Sequence, residues 1–152
     1  MIRGVRPDTL LLTGLTILLT GCDRTNPDLF PDTFLRDSLG LGERDPVHTV
    51  QLESTEDGER VEPALVTVRA GDLVQFVTRD RQVHVISFIL DSLPAPAADF
   101  LRDSWQESSP PLVEMGARFV VTFAGAPPGN YPFVVTGSRE EGRGAVMVVP
   151  RD

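Results

Sequence analysis

The sequence predicts an all-β fold, a Greek-key β-sandwich with one short inserted helix, and three observations predict it. From Val47 to Val149 short alternating or apolar runs recur, rich in Val, Phe and Leu. Turn-forming clusters separate them at Glu56-Asp57-Gly58, Ala70-Gly71-Asp72 and Ala126-Pro127-Pro128-Gly129. About 100 residues of this composition are enough to bury one core without cross-links.

The elements follow in chain order. Arg3 and Arg6 open the chain, and residues 10–19 (LLLTGLTILL) form an apolar run of secretory-signal length. A transmembrane helix needs roughly 20 apolar residues, about twice this run. Leu19-Thr20-Gly21-Cys22 resembles a bacterial lipobox, which implies cleavage before Cys22 and lipid on its sulfur. Residues 1–21 are then a lipoprotein signal peptide. The mature chain keeps 152 − 21 = 131 residues and, having lost Arg3, Arg6 and Asp8, a net charge of −9 against −8 for the whole. Acyl chains anchor because each buried methylene contributes about 0.8 kcal/mol. The implied address is the cell envelope, on the side facing away from the cytoplasm.

Residues 22–46 are a lipidated tether. Pro27, Pro31 and Pro46 interrupt regular structure, whereas residues 32–39 predict about two helical turns ended by Gly40 and Gly42. Phe30, Phe34, Leu35, Leu39 and Leu41 are too apolar for a free linker; docking on the domain of residues 47–152 is expected, and a partner-binding peptide is the alternative.

In that domain strands are expected at 47–52, 64–69, 73–78, 83–90, 118–123, 130–136 and 145–149. Period-two alternation directs Val66, Val68, Val74, Phe76, Phe119, Val121, Phe123, Tyr131 and Phe133 inward. The inserted helix is expected over 97–105, with Ala97, Phe100, Leu101 and Trp105 on one side and Pro110-Pro111 beyond it. Trp105 is expected to pack.

Two blocks carry a more specific likeness. Leu65-Val66-Thr67-Val68-Arg69-Ala70-Gly71-Asp72-Leu73-Val74-Gln75-Phe76 followed by Val83-His84-Val85-Ile86-Ser87-Phe88 resembles the middle of a cupredoxin, the plastocyanin and azurin superfamily. Pro128-Gly129-Asn130-Tyr131-Pro132-Phe133 followed by Gly142-Arg143-Gly144-Ala145-Val146-Met147-Val148 resembles its closing hairpin. The resemblance spans residues 47–149 and implies a type 1 copper held by an upstream histidine and by a cysteine, a histidine and a methionine of the closing loop.

The ligands themselves are largely missing. His84 matches the first position, but the Cys-x2-His-x4-Met spacing falls on Val135, Ser138 and Arg143. Valine cannot coordinate, a serine hydroxyl is a poor copper ligand, and arginine is a permanent cation. Shifting the loop restores nothing, because no cysteine or histidine follows Phe123. Cys22 is the only cysteine and is committed to lipid, so a disulfide and a thiolate ligand are both excluded.

His84 has two readings. It is a strand-end histidine satisfied by hydrogen bonds, or it anchors a weak copper site with His48, Met115 or a carboxylate. The first is favoured, because a metal needs several converging ligands. Arg139, Glu140, Glu141 and Arg143 read as a solvated loop.

The acidic chain repels nucleic acid. Its lack of lysine follows from genome composition more simply than from chemistry. No catalytic spacing is present, and Ser87 falls on the strand face opposite His84, so no enzyme is expected. The expectation is a non-catalytic envelope lipoprotein, bound to the membrane through Cys22 and to a protein partner in the envelope, with no cofactor. The alternative is a copper-handling protein using His84 outside a type 1 site.

Overall fold

A computed structural model describes residues 33–42, 45–137 and 139–151. Cys22 and the expected signal peptide lie outside them. The chain forms α1 (Thr33–Leu39), β1 (Val47–Thr55), β2 (Gly58–Glu62), β3 (Leu65–Arg69), β4 (Leu73–Thr78), β5 (Val85–Phe88), α2 (Ala95–Asp103), β6 (Arg118–Thr122), β7 (Gly129–Thr136) and β8 (Gly142–Val149). Among the described residues, eight strands make two four-stranded sheets, ordered β2-β1-β4-β6 and β3-β8-β7-β5. Only β1–β2 and β7–β8 are hairpins; the other links cross between sheets, which gives the cupredoxin-like sandwich expected from the two sequence blocks.

Each sheet is mixed. β1 runs parallel to β4 and β3 parallel to β8, while the remaining pairs are antiparallel. Both parallel pairs join strands separated by crossovers, as parallel pairing requires. Alternation fixes which face of a strand is buried but carries no strand direction, so this feature was invisible in the sequence.

The inward faces are those predicted. Val66, Val68, Val74, Phe76, Val121, Phe123, Tyr131 and Phe133 are buried, and Phe119 is partly buried against the same core. Phe76 meets Phe133 edge-on at 5.0 Å between centroids, and Phe123 meets Tyr131 at 5.4 Å. Such pairs add to the burial of large aromatic area. The buried Tyr131 hydroxyl donates to the Pro127 carbonyl at 2.7 Å, tying the start of β7 to the turn before it. Burial raises the pKa of that phenol.

Three elements differ from expectation. β2 was not foreseen, because Glu59, Arg60 and Glu62 make it look like loop; charge is a common device on an edge strand. β5 is shorter than the predicted 83–90, with His84 in an isolated bridge to Leu112 and Leu90–Ser92 wound into a 3-10 turn. α2 starts and ends two residues early, so Trp105 is not on its packed side. Trp105 instead has φ +57° and is 84% exposed, while Ala97, Ala98 and Leu101 bury the helix.

α1 docks as the apolar pattern of the tether predicts. Leu35 is buried, as is Val47 at the start of β1, both outside the main core. The Arg118 guanidinium lies 5.5 Å from the Phe34 ring and donates to Gln75 Oε1 at 3.1 Å. Gln75 alternates with the inward Val74 and Phe76, so α1 covers the outer face of the first sheet.

Candidate functional site

His84 follows the β4–β5 loop and carries no exposed surface. Its backbone is fixed by reciprocal hydrogen bonds with Leu112, N–H to carbonyl in both directions at 2.9 Å. The ring lies between two carboxylates. Nδ1 is 2.9 Å from Glu59 Oε2, and Nε2 is 2.8 Å from Asp80 Oδ1. Neutral imidazole has one donor and one acceptor nitrogen, so both contacts are hydrogen bonds when each nitrogen carries a proton.

Each carboxylate is held in turn. Glu59, whose side chain is fully buried, accepts the Ser54 hydroxyl on Oε1 at 2.9 Å. Its own N–H donates to the Glu140 carbonyl at 3.0 Å. Asp80 accepts the N–H of Ser54 on Oδ2 at 2.7 Å and that of Gln82 on Oδ1 at 2.8 Å. Burial raises the Asp80 pKa, but the hydrogen bond from His84, the two backbone donors and the charge of the imidazole outweigh it and hold the carboxyl below its ordinary 3.8. The group links the β1–β2 hairpin, the β4–β5 loop and, through Glu140, the closing loop.

Gly137 lets the strands close over this group. It has φ +151°, and a Cβ there would collide with the Val83 carbonyl and come within 3.4 Å of Glu59 Oε1. Gly142 approaches Glu59 as closely, with a Cβ placed 2.8 Å from that of Glu59. Glycines inside a strand pattern mark such approaches.

The positions matched to the copper loop give no ligand set. Val135 is buried and pairs with Ile86 in the sheet, on the same side as His84. Arg143 is exposed and paired with Glu141. Ser138 lies outside the described residues. Glu59 and Asp80 face opposite nitrogens of one ring, so the three cannot converge on one ion, and among the described residues no three His, Cys, Asp or Glu side chains are grouped to hold one. The residues present do not fit a type 1 copper: both imidazole nitrogens are engaged, and two of the matched positions offer an alkyl chain and a cation.

The other residues considered with His84 lie elsewhere. Met115 is 63% exposed, and Ser87 bonds to the Ser108 hydroxyl at 3.0 Å rather than to His84. His48 sits at the opposite end of β1, its Nε2 3.1 Å from Asp72 Oδ2. Asp72 also accepts the Arg69 N–H at 3.0 Å and Arg151 at 2.6 Å. Burial raises the Asp72 pKa, and these donors more than reverse it.

Glu59 and Asp80 are the site residues that sequence reasoning missed. The signal for Glu59 was the turn cluster Glu56-Asp57-Gly58: Glu56 and Asp57 reverse the chain, and Gly58, at φ +126°, opens a returning strand opposite Thr55 at the end of β1.

No family model matches the chain, and no curated protein matches it. Among solved structures it is similar to oxidized plastocyanin from Dryopteris crassirhizoma at 24% identity and a TM-score of 0.49, covering 65% of this chain and 99% of that one. It is also similar to an oxidized amicyanin variant at 18% identity and 0.47, covering 68% and 82%. A purple cupredoxin from Nitrosopumilus maritimus is 21% identical at 0.45, covering 67% and 99%. These likenesses concern the fold.

Proposed function

We propose that this protein is a lipid-anchored envelope lipoprotein whose sandwich serves as a non-catalytic binding or structural module. One observation carries the reading: the histidine aligned with a copper ligand is enclosed by Glu59 and Asp80 at 2.9 and 2.8 Å, so imidazole–carboxylate contacts cross-link the loops that a metal would otherwise join. A buried pair fully supplied with hydrogen bonds holds its surroundings in one arrangement, and losing one partner is costly. Copper handling through His84 would require Glu59, whose side chain is fully buried, or Asp80 to give up its contact with the ring.

The anchor reading rests on Arg3, Arg6, the apolar run 10–19 and Leu19-Thr20-Gly21-Cys22. No helix among the described residues is long and apolar enough to cross a membrane.

Two measurements test the proposal. Mass spectrometry of the membrane-extracted protein should show Cys22 as the modified first residue; a mature chain starting at Met1 would refute the anchor. Cu(II) added to residues 23–152 should give neither the intense visible thiolate band nor the narrow hyperfine pattern of type 1 copper. A blue protein would refute the module reading.

A further inference from the structure

Trp105 is held outside the protein by its neighbours on both sides. Its N–H donates to the Arg102 carbonyl at 3.0 Å, and at φ +57° it occupies a region that bulky side chains seldom adopt. Gln106, 8% exposed, then clamps to β6, with Nε2 donating to the Thr122 carbonyl at 3.2 Å and Oε1 accepting the Thr122 N–H at 2.7 Å. The same Nε2 donates to Ser104 Oγ at 2.8 Å. The indole between these fixed residues is 84% exposed. An unfavourable backbone conformation kept by its surroundings is a pointer to function.

A second exposed aromatic borders the same strand. β6 pairs only with β4, so it is an edge of its sheet. Arg118 at one end of β6 lies against Phe34, itself 64% exposed, and Thr122 at the other end holds Gln106. α1, which carries Phe34, is also where the tether from Cys22 reaches the fold.

We infer that this edge faces the bilayer, with Trp105 and Phe34 resting among the lipid headgroups; the inference depends on the lipid anchor at Cys22 proposed above. Residues 23–32 are the only chain between Cys22 and Thr33, a reach of about 40 Å at full extension. A fold of this size has a radius of gyration of about 13 Å, so the tether keeps it against the membrane and favours the surface around its point of entry. Linkage at such a distance makes even a weak contact well populated. The mature charge of −9 opposes attraction to an anionic leaflet. Contact through apolar and amphipathic groups meets no such opposition, and an indole suits the headgroup region, where tryptophan concentrates.

Trp105 is the only tryptophan, so its fluorescence reports its own environment. The full-length protein, processed in its membrane and purified, is placed in phosphatidylcholine vesicles, and the mass of its N-terminal peptide is measured on the same sample. The expected result is a blue-shifted emission relative to unlipidated protein, a several-fold smaller iodide-quenching constant, and quenching by lipid brominated near the headgroup. Phe34→Ser should weaken the bromolipid quenching while the circular dichroism of the sandwich stays unchanged. Lipidated Cys22 with a solvent-exposed, iodide-quenched Trp105 would overturn the inference and leave the anchor standing. An unmodified Cys22 would overturn both. A blue shift that grows with protein concentration without vesicles would assign the surface to a second copy and overturn it as well.

Discussion

At the start of β1, His48 faces one buried carboxylate, Asp72, with 15% of its side chain still exposed; beyond the far end, His84 is enclosed between Glu59 and Asp80 with none exposed. The local chemistry is the same, an imidazole against a carboxylate, but the support differs. Asp72 keeps the Arg69 N–H and Arg151 if His48 is removed. Among the described residues, Glu59 keeps only the Ser54 hydroxyl as a side-chain partner if His84 is removed. Burial and the number of independent donors decide whether a histidine is an accessory to a turn or a closure on which three segments depend.

The comparison is broken most severely by His84→Ala. Removing one member of a buried pair leaves an uncompensated charge and costs roughly 3–5 kcal/mol, read as a lower midpoint in denaturant unfolding. In a Glu59→Gln background the same substitution should cost much less, because no buried carboxylate is stranded. Equal costs in the two backgrounds would show that the ring acts by packing alone. Gly137→Ala should also be costly, with about 2 kcal/mol for a strained positive φ and a further loss because the Val83 carbonyl, which the added Cβ would overlap, must move. His48→Ala should cost about 1 kcal/mol or less, the ordinary net value of one hydrogen bond. A His48 loss as large as that of His84 would erase the distinction between the two ends.

Acid gives the gentlest test. Asp72 and Asp80 both have folded pKa values below the ordinary 3.8. Each therefore contributes stability that is present above that value and lost as pH falls through the depressed folded value. Unfolding free energy should be level with respect to these two groups near neutral pH and decline below about pH 4. In Asp80→Asn the decline should be shallower, by the share that Asp80 contributes.

The sequence carried the sandwich clearly, because Val66, Val68, Val74, Phe76, Tyr131 and Phe133 alternate with polar residues and the turns at Ala70-Gly71-Asp72 and Ala126-Pro127-Pro128-Gly129 bound the runs. It also located His84 and the absence of usable chemistry at Val135 and Arg143. It did not reveal what fills the gap. Glu59 sits in a charged segment that periodicity cannot distinguish from loop, and its burial comes from pairing with β1 and from the nearness of Gly142, both long-range. Trp105 failed for another reason: helical spacing placed it beside Ala97 and Leu101, but the chain leaves α2 at Asp103 because Gln106 binds the edge of β6, and no local pattern encodes that contact.

The central claim is that His84 is held at both ring nitrogens by Glu59 and Asp80 and is unavailable to metal. Ring-nitrogen NMR of the labelled protein at neutral pH, with and without one equivalent of Cu(I), tests it most directly. Two ring nitrogens already engaged by carboxylates at 2.9 and 2.8 Å should keep their shifts unchanged when the ion is added. A His84 ring nitrogen that shifts when copper is added would contradict the claim.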